Sequence, residues 1–508
     1  MLAKKTKKLI VLSIYISFIV LFSSLNGLSQ PKTLIIAHGG EPETLFPSTA
    51  SQATIDRIYS IMEPLVYLDP EGKPIPVLAT RWEIMDGKKW RFHLRKGVVF
   101  HNGEKFNAED VAFSIDYTKD PKNKVDRMGM LKAYTYEIID EYTIDIINEA
   151  GTLDPILPES WYCIHILPKD TLIEMGHSKF SRGPIGTGPF QFVEWKGAEH
   201  IILKAFDKYW GGKPKIDRVI FKTIPETATR VIGLKRGDLD IIIGVPPTEI
   251  KSIQEDQNLE IRQKSSLCAF HLQFRCDIPP FKDNINLRKA VAHAIDSGAI
   301  SKQILGGFAK PEGSVTPVLA FGYNKNVEPY KYDPKLAKEY LIQSGYKGEE
   351  IKMVSSGGRY FMDNDVNAAI AGYLKAIGIN VNLTILDSAT YISKYFAHTI
   401  EPMFLMYWCD NSGDGVENLF DICHKDSRHH FLDKGGIPEL SKLIDIARTS
   451  SDRNIRREAI EKANQLIHDY YYWGMVYVLG KTYGVRKNIK WNARVDEIIY
   501  VSNQDDKL

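Results

Sequence analysis

A helix pattern that stops at a glycine and passes directly into a strand pattern is the feature that most constrains the fold of this chain. Apolar residues recur at helical spacing at Val366, Ala369, Ile370, Tyr373, Leu374 and Ile377, and Gly378 follows. From Ile379 to Ile385, apolar residues then alternate with polar ones. Glycine suits the position just past a helix because it accepts left-handed backbone angles. Helix, glycine and strand in succession are typical of an open α/β layer, so the sequence predicts an α/β fold.

Other segments support the same fold class. Asn107 precedes Glu109 and Asp110, which predicts a capped helix start, and Asp333 and Asp452 precede further helical patterns. Apolar residues alternate over Trp90–Leu94. Turn signals at residues 96–97 and 101–103 flank the next apolar stretch, which predicts a hairpin.

The length predicts more than one globular unit. A chain of 508 residues exceeds what one hydrophobic core usually holds, so two or three units are expected. No repeat, low-complexity tract or charge block marks a boundary between them. We therefore expect the chain to cross between its units more than once.

The N-terminal segment predicts export. Lysines 4, 5, 7 and 8 precede an apolar run from Leu9 to Leu25, and small residues follow at Gly27 and Ser29, which is the pattern of a cleaved signal peptide over residues 1–29. A permanent anchor helix is the alternative, since 17 residues are at the lower limit of a bilayer span. No cysteine stands near the end of the apolar run, so a lipid anchor is not expected. The predicted location is the periplasm of a Gram-negative bacterium.

The composition is that of a globular protein without a nucleic-acid partner. Apolar residues make up 44% and charged residues 25%, which excludes wholly disordered and polytopic membrane classes. The formal net charge is +2, and loss of the four N-terminal lysines would change it to −2. Without a basic block, nothing indicates binding to DNA or RNA.

Five cysteines lie beyond the predicted signal peptide, and none is in a Cys-x-x-Cys spacing. Their number is odd, so at least one is unpaired or pairs between chains. A zinc site built from them is not expected.

Several segments together resemble the family 5 extracellular solute-binding proteins, which serve as peptide, nickel, opine and some sugar receptors of ABC importers. They occur in the order of that family and extend over nearly the whole chain beyond the signal peptide. They are residues 78–83 (LATRWE), 90–111 (WRFHLRKGVVFHNGEKFNAEDV), 186–190 (GTGPF), 209–214 (YWGGKP), 216–219 (IDRV), 237–240 (GDLD), 287–296 (LRKAVAHAID) and 357–360 (GGRY). These are mainly scaffold motifs, so they identify the family more sharply than the ligand.

The resemblance implies a type II periplasmic binding protein-like fold. Two lobes are joined by a hinge, and an additional domain is inserted in the N-terminal lobe. The expected boundaries are residues 30–49, 186–267 and 480–508 for lobe 1, 50–185 for the inserted domain and 268–479 for lobe 2. A solute that touches both lobes would favour the closed form, which the permease recognises.

The resemblance also implies a ligand site around residues 406–420, which line the cleft in peptide-binding relatives. A carboxylate there holds the α-ammonium of the ligand by charge-assisted hydrogen bonds, so Asp410 is the first candidate and Asp414 the second. Tyr407, Trp408 and Cys409 belong to the same segment. Asp410 stands one residue earlier than the usual anchor, and an aspartate in such a loop also suits a turn.

Three further residues are candidate ligand contacts. Arg127 and Arg359 each offer a guanidinium that could bind a carboxylate in a bidentate manner, or form a surface ion pair instead. Glu41 matches a position that contacts peptide backbone in oligopeptide-binding relatives. Ala389 replaces an aromatic residue of those relatives, which implies a roomier pocket.

The resemblance implies a disulfide between Cys268 and Cys409, because both fall in segments that carry paired cysteines in some oligopeptide receptors. It would tie the loop of Asp410 to the first strand of lobe 2. Two buried thiols are the alternative, and the state of Cys163, Cys276 and Cys423 is left open.

No cofactor or resident metal is expected. His424, His429 and His430 are close in sequence but have cationic neighbours, so we predict a solvated loop rather than a metal site. Nucleophile-elbow, zincin and Walker motifs are missing, so nothing in the sequence indicates an enzyme.

The predicted function is therefore that of a monomeric periplasmic receptor. It would capture small peptides or peptide-like, amine-bearing solutes and deliver them to inner-membrane ABC permease subunits. The alternatives are a metal chelate, an opine or an oligosaccharide as ligand, or, in another class, a periplasmic enzyme, chaperone or sensor partner.

Overall fold

The computed structural model describes residues 31–47, 52–86, 89–123, 125, 131–149, 157–410, 413–427, 429–432 and 436–507. The predicted signal peptide and the candidate Arg127 lie outside these residues.

A seven-stranded sheet forms the first lobe. In spatial order its strands are Leu259–Gln263, Thr482–Arg486, Ile241–Ile243, Thr33–His38, Arg218–Thr223, His200–Ala205 and Phe190–Lys196. Strand Thr33–His38 is parallel to both of its neighbours, and all the other pairs are antiparallel.

A six-stranded sheet forms the second lobe. Its strands in spatial order are Ala309–Glu312, Trp473–Leu479, Cys268–Phe274, Met403–Cys409, Ile351–Ser355 and Val381–Ile385. Strand Ile351–Ser355 is parallel to both of its neighbours, and the remaining pairs are antiparallel.

An antiparallel four-stranded sheet lies between the early strands of lobe 1 in the chain. Its order is Ala79–Met85, Lys89–Leu94, Thr143–Asn148 and Tyr134–Asp140. Two smaller ladders pair Val66–Leu68 with Pro74–Pro76 and Ile489–Lys490 with Asp506–Lys507.

Helices cover both lobes. The α-helices are Gln52–Ile58, Ala108–Lys119, Leu157–Ser160, Lys169–Met175, His177–Phe180, Thr227–Arg236, Pro247–Gln254, Ile285–Ala294, Ser297–Ala299, Pro334–Gln343, Asp363–Ile377, Ser388–Phe396, Val416–Cys423, Pro438–Thr449 and Arg453–Asp469. Short 3₁₀-helices lie at Pro121–Asn123 and Trp161–Cys163, and Ile300–Ile304 is a π-helix.

The helix, glycine and strand pattern is confirmed. The helix Asp363–Ile377 ends at Gly378, whose φ of +100° is left-handed, and strand Val381–Ile385 follows in parallel pairing with Ile351–Ser355. At the helix start predicted for Asn107, the Asn107 side chain accepts from the Glu109 N–H while the Asp110 side chain accepts from the Asn107 N–H. This reciprocal cap confirms the sequence signal.

The predicted hairpin around residues 90–103 is only partly correct. Strand Lys89–Leu94 pairs with Ala79–Met85 and Thr143–Asn148, and not with the apolar stretch that follows it. That stretch forms a single bridge between Val99 and Lys105 around the second turn. The alternation identified the strand correctly, but partner choice depends on contacts distant in sequence.

The buried apolar residues form two large cores. One core is continuous between the seven-stranded and four-stranded sheets, and includes Ile36 from the former and Phe92 and Ile144 from the latter. The other core belongs to the six-stranded sheet and its helices. Because the first core includes residues from both sheets, the region between residues 50 and 185 shares its core with lobe 1.

The strands of each sheet lie inside the residue ranges expected for the two lobes and the inserted domain. The exact boundary residues stay a prediction.

Candidate functional site

Two short segments carry the chain between the lobes. Residues 264–267 connect strand Leu259–Gln263 to Cys268–Phe274, and residues 480–481 connect Trp473–Leu479 back to Thr482–Arg486. The segments are in close contact, because a Cβ atom on Gly480 would lie 1.7 Å from the Lys264 carbonyl oxygen. Two adjacent connections of this kind between two lobes are the usual form of a hinge, and we call them the hinge segments.

The candidate anchor Asp410 lies at the hinge edge of lobe 2. It directly follows strand Met403–Cys409, and its N–H donates to the Leu267 carbonyl oxygen in the first hinge segment at 2.9 Å. The predicted disulfide between Cys268 and Cys409 is confirmed, and it joins residues that are register partners in the sheet. Asp410 is therefore a buried carboxylate, 2% exposed, on a covalently fixed strand end.

Asp414 has a different environment from Asp410. Its Oδ2 accepts from Arg456 at 2.5 Å, and both side chains are buried. Burial raises the pKa of Asp414, and the Arg456 guanidinium opposes that shift. Backbone hydrogen bonds from Phe321 to Gly413 and from Gly415 to Phe321 hold the loop on either side. The second candidate thus has a protein partner, and the arrangement favours a structural role for it.

The charged candidates occupy the loops that follow parallel strands of each lobe. Arg359 follows strand Ile351–Ser355, is exposed and donates to the Ser388 hydroxyl at 2.9 Å. Glu41 follows strand Thr33–His38 in lobe 1 and is also exposed. The neighbouring Arg57 is buried and donates to the Gly40 carbonyl oxygen. Burial lowers the pKa of Arg57 to about 10, and the carboxylates of Asp56 and Glu41 oppose this shift. As ligand contacts, Arg359 and Glu41 stay predictions.

Tyr407 and Trp408 face opposite sides of the lobe 2 sheet. The Trp408 ring packs near Tyr395 and His429, on the side of helix Ser388–Phe396. The Tyr407 ring packs 4.4 Å from Phe270, and its hydroxyl donates to Glu497 Oε2 at 2.8 Å. Burial and the Glu497 carboxylate both raise the pKa of Tyr407, so the phenol keeps its proton and acts as the donor.

Sequence reasoning missed a partly buried cluster of titratable side chains at the hinge edge of lobe 1. Lys481 of the second hinge segment lies 3.6 Å from Glu497, and His38 lies 3.3 Å from Asp56. Burial opposes ionisation of Asp56, but Lys481 and His38 outweigh it, so the pKa of Asp56 is lowered. No periodicity or motif marks these residues, since their partners are distant in the chain.

The histidine prediction was wrong for His424. This residue is 2% exposed, and its ring stacks on Phe420 with centroids 4.7 Å apart. His424 directly follows helix Val416–Cys423 and caps its C-terminus. It therefore lies in the packed interior and not in a solvated loop. Within the described ranges, no group of three histidine, cysteine or carboxylate side chains is arranged to hold a metal ion.

Cys163, Cys276 and Cys423 are buried and lie outside the disulfide. Across the part of the chain that the structure describes, no helix is both long enough and apolar enough to cross a bilayer.

These features define a class of protein. Two α/β lobes, each built on its own mixed sheet and joined by two adjacent segments, are the architecture of a type II periplasmic binding protein, as expected from the sequence.

The chain belongs to the bacterial extracellular solute-binding proteins of family 5. The model of the middle region of that family matches residues 73–429, which is more than half of the chain. The relatives include the dipeptide-binding protein of Escherichia coli, which is 28% identical over 478 residues and covers 87% of this chain and 88% of its own.

Solved structures give the same result. The periplasmic binding protein DppA of Helicobacter pylori, in complex with the peptide STSA, superposes with a TM-score of 0.79 at 25% identity and covers 92% of this chain and 96% of its own. NikZ of Campylobacter jejuni, in complex with Ni(L-His), has a TM-score of 0.80 at 23% identity and covers 92% and 98%. The second likeness concerns the fold alone.

Proposed function

We propose that this protein is the periplasmic receptor of an ABC importer, and that it captures short peptides or peptide-like solutes with a free amine and releases them unchanged. The observation that carries the proposal is Asp410, a buried carboxylate at the hinge edge of lobe 2 on a strand end fixed by the Cys268–Cys409 disulfide. A carboxylate shielded from water and held rigidly is a strong partner for an ammonium group. The dipeptide-binding and peptide-bound relatives favour the same ligand class.

The charge of Asp410 provides the sharpest test. Native mass spectrometry of freshly purified protein first identifies a retained solute, and isothermal titration then compares a free dipeptide with its N-acetylated form. We expect Asp410→Asn to abolish the preference for the free amine, because the variant keeps the shape of the side chain and loses its charge. The surface variant Asp365→Asn, on helix Asp363–Ile377, serves as the control and should bind as the wild type does.

An equal loss of both ligands in Asp410→Asn would show that Asp410 is structural. A metal chelate, an opine or an oligosaccharide in the native spectrum would replace the peptide assignment and leave the receptor function in place.

The cellular part of the proposal has its own tests. N-terminal sequencing of the exported protein should begin at about residue 30, as a cleaved signal peptide requires. Ligand-loaded protein should stimulate the ATPase of the cognate permease in proteoliposomes, and ligand-free protein should not. Turnover of the bound solute into a product would contradict a receptor that acts by binding alone.

A further inference from the structure

A hydrogen bond between two side chains joins the lobes beside the hinge. Tyr407 belongs to the central part of the lobe 2 sheet, and Glu497 belongs to the C-terminal segment beyond the last strand of the lobe 1 sheet. The Tyr407 hydroxyl donates to Glu497 Oε2 at 2.8 Å, and Glu497 is 4% exposed. The bond therefore joins a buried carboxylate of one lobe to a half-buried phenol of the other.

Both hinge segments take part in this contact. Ser266, in the first segment, lies near the Tyr407 hydroxyl and lowers the pKa of Tyr407, against the larger effects of burial and Glu497. Lys481, in the second segment, has its Nζ 3.6 Å from Glu497 Oε2. A rotation about the hinge has to change these distances, because the four groups belong to the two lobes and to the two segments between them.

Glu497 is held there at a cost in free energy. Its φ is +59°, which lies in the left-handed region that non-glycine residues rarely adopt. Its Oε1 is buried and accepts no hydrogen bond from any of the described residues. Strained backbone and incompletely satisfied charge persist where the surrounding structure imposes them, and such positions concentrate at functional sites.

We propose that Glu497 is a positioning residue that holds Tyr407 and, through it, stabilises the arrangement of the two lobes seen here, which we assign to the closed form. In an open form, water would hydrate the phenol and the carboxylate separately. In this arrangement the hydroxyl donates to the carboxylate, so its removal takes away that hydrogen bond and leaves the buried carboxylate with the more distant Lys481 ammonium. The pair then acts on the equilibrium between open and closed lobes and not on the chemistry of the ligand. The inference rests on the proposed receptor function only in that the lobes move.

The chain offers a matched control for this idea. Tyr477 belongs to the same aromatic cluster, and its ring stacks 4.8 Å from Phe270, the ring that Tyr407 also contacts. The Tyr477 hydroxyl is buried without a hydrogen-bond partner among the described residues. Tyr477→Phe therefore removes an equivalent atom from the same cluster without breaking an interlobe bond.

The test measures the distance between the lobes without ligand. Nitroxide labels are attached at Arg236→Cys and Lys338→Cys, which are exposed positions on helices of lobe 1 and lobe 2. Pulsed electron paramagnetic resonance then measures the distance between the labels. We expect Tyr407→Phe to raise the ratio of open to closed molecules about tenfold to hundredfold, the factor for losing a hydrogen bond to a charged group. Tyr477→Phe should match the wild type. Glu497→Gln keeps an acceptor for the hydroxyl and should lie between the wild type and Glu497→Met.

A second measurement separates this inference from the ligand assignment. For any free or N-acetylated dipeptide that the wild type binds, Tyr407→Phe should weaken affinity by one common factor, since closure is common to all ligands. A loss confined to one ligand would make Tyr407 a direct contact and overturn the inference. Unchanged distances in Tyr407→Phe, or equal shifts in Tyr477→Phe, would also overturn it. If no dipeptide binds, the distances still decide, and a melting curve shows whether each variant is folded.

Discussion

At the residue scale, Gly480 shows how one missing side chain shapes the hinge. The carbonyl carbon of Lys264 lies 2.8 Å from the position a Cβ would take on Gly480, and the carbonyl oxygen lies closer still. A methyl group there cannot be accommodated by rotating a side chain, because both contacts are backbone atoms. Glycine thus allows the two hinge segments to lie against each other.

We expect Gly480→Ala to lower the free energy of unfolding by about 1–3 kcal/mol, the usual range for overpacking a tight site. Gly372 provides the control, since it lies within helix Asp363–Ile377 and a Cβ there would meet nothing within 4 Å. Gly372→Ala should stabilise the protein by about 0.5–1 kcal/mol through helix propensity. Urea denaturation measures both changes, and a neutral Gly480→Ala would contradict the close approach.

Glu63 makes a pH dependence testable at the same scale. Its carboxylate is buried and accepts hydrogen bonds from the Tyr209 hydroxyl at 2.7 Å and from Trp210 Nε1 at 2.9 Å. Burial raises the pKa of Glu63 to about 7, and these hydrogen bonds oppose the shift. A raised acid pKa means that the folded protein holds the proton more tightly than the unfolded chain does.

The contribution of Glu63 to stability should therefore be largest below its unfolded pKa of 4.5 and should fall as the pH rises to about 7. The unfolding free energy of the wild type minus that of Glu63→Gln should decrease by about 3 kcal/mol across that window and then level off. Urea titrations at a series of pH values measure this difference. A difference that stays flat from pH 4.5 to 7 would show that Glu63 is ionised when folded.

At the element scale, the loop of Asp410 and Asp414 is fixed at both ends by different chemistry. The disulfide holds its start, and the buried pair of Asp414 and Arg456 holds its end against helix Arg453–Asp469. A cation–π contact adds to this second attachment, because the Arg453 guanidinium lies 4.5 Å from the centre of the Phe321 ring. Under the proposed function, a loop tied at both ends would lose little entropy on capturing a ligand.

Loss of one partner of the Asp414–Arg456 pair should destabilise the protein more than loss of both. Arg456→Met removes the guanidinium that pairs with the buried Asp414 carboxylate, so we expect the unfolding free energy to fall by about 3–5 kcal/mol. The double variant Arg456→Met with Asp414→Leu should recover most of that loss, because no buried charge is then left alone. Guanidinium denaturation measures the unfolding free energy of both variants. An equal decrease in the single and the double variant would indicate that packing, not charge, dominates at this site.

At the scale of the whole molecule, the two cores predict which parts fold alone. Lobe 2 is one continuous stretch with its own core and its own disulfide. Residues 50–185 share a core with the seven-stranded sheet, so in isolation they would expose an apolar face. Fold autonomy should therefore differ between the two regions.

We expect a fragment of residues 268–479 to be soluble and to melt cooperatively, and a fragment of residues 50–185 to show no cooperative transition. Circular dichroism and calorimetry measure both, with the full chain as the reference. Cooperative melting of the second fragment would show that the inserted domain is independent after all.

The sequence by itself determined the features that depend on near neighbours. The Asn107 cap, the Gly378 helix end and the strand after it follow from residues a few positions apart, and the family follows from motifs that keep their order along the chain. Local backbone hydrogen bonds and side-chain periodicity act over such distances, which is why these predictions were confirmed.

Only the tertiary structure decided which charged groups meet. Asp414 and Arg456 are 42 residues apart, and Tyr407 and Glu497 are 90 apart, so no local pattern connects them. The same holds for His424, whose burial depends on how its helix packs and not on its polar neighbours. Long-range pairs form only when folding brings distant segments into one dry interior, where an unmatched charge is too costly to remain.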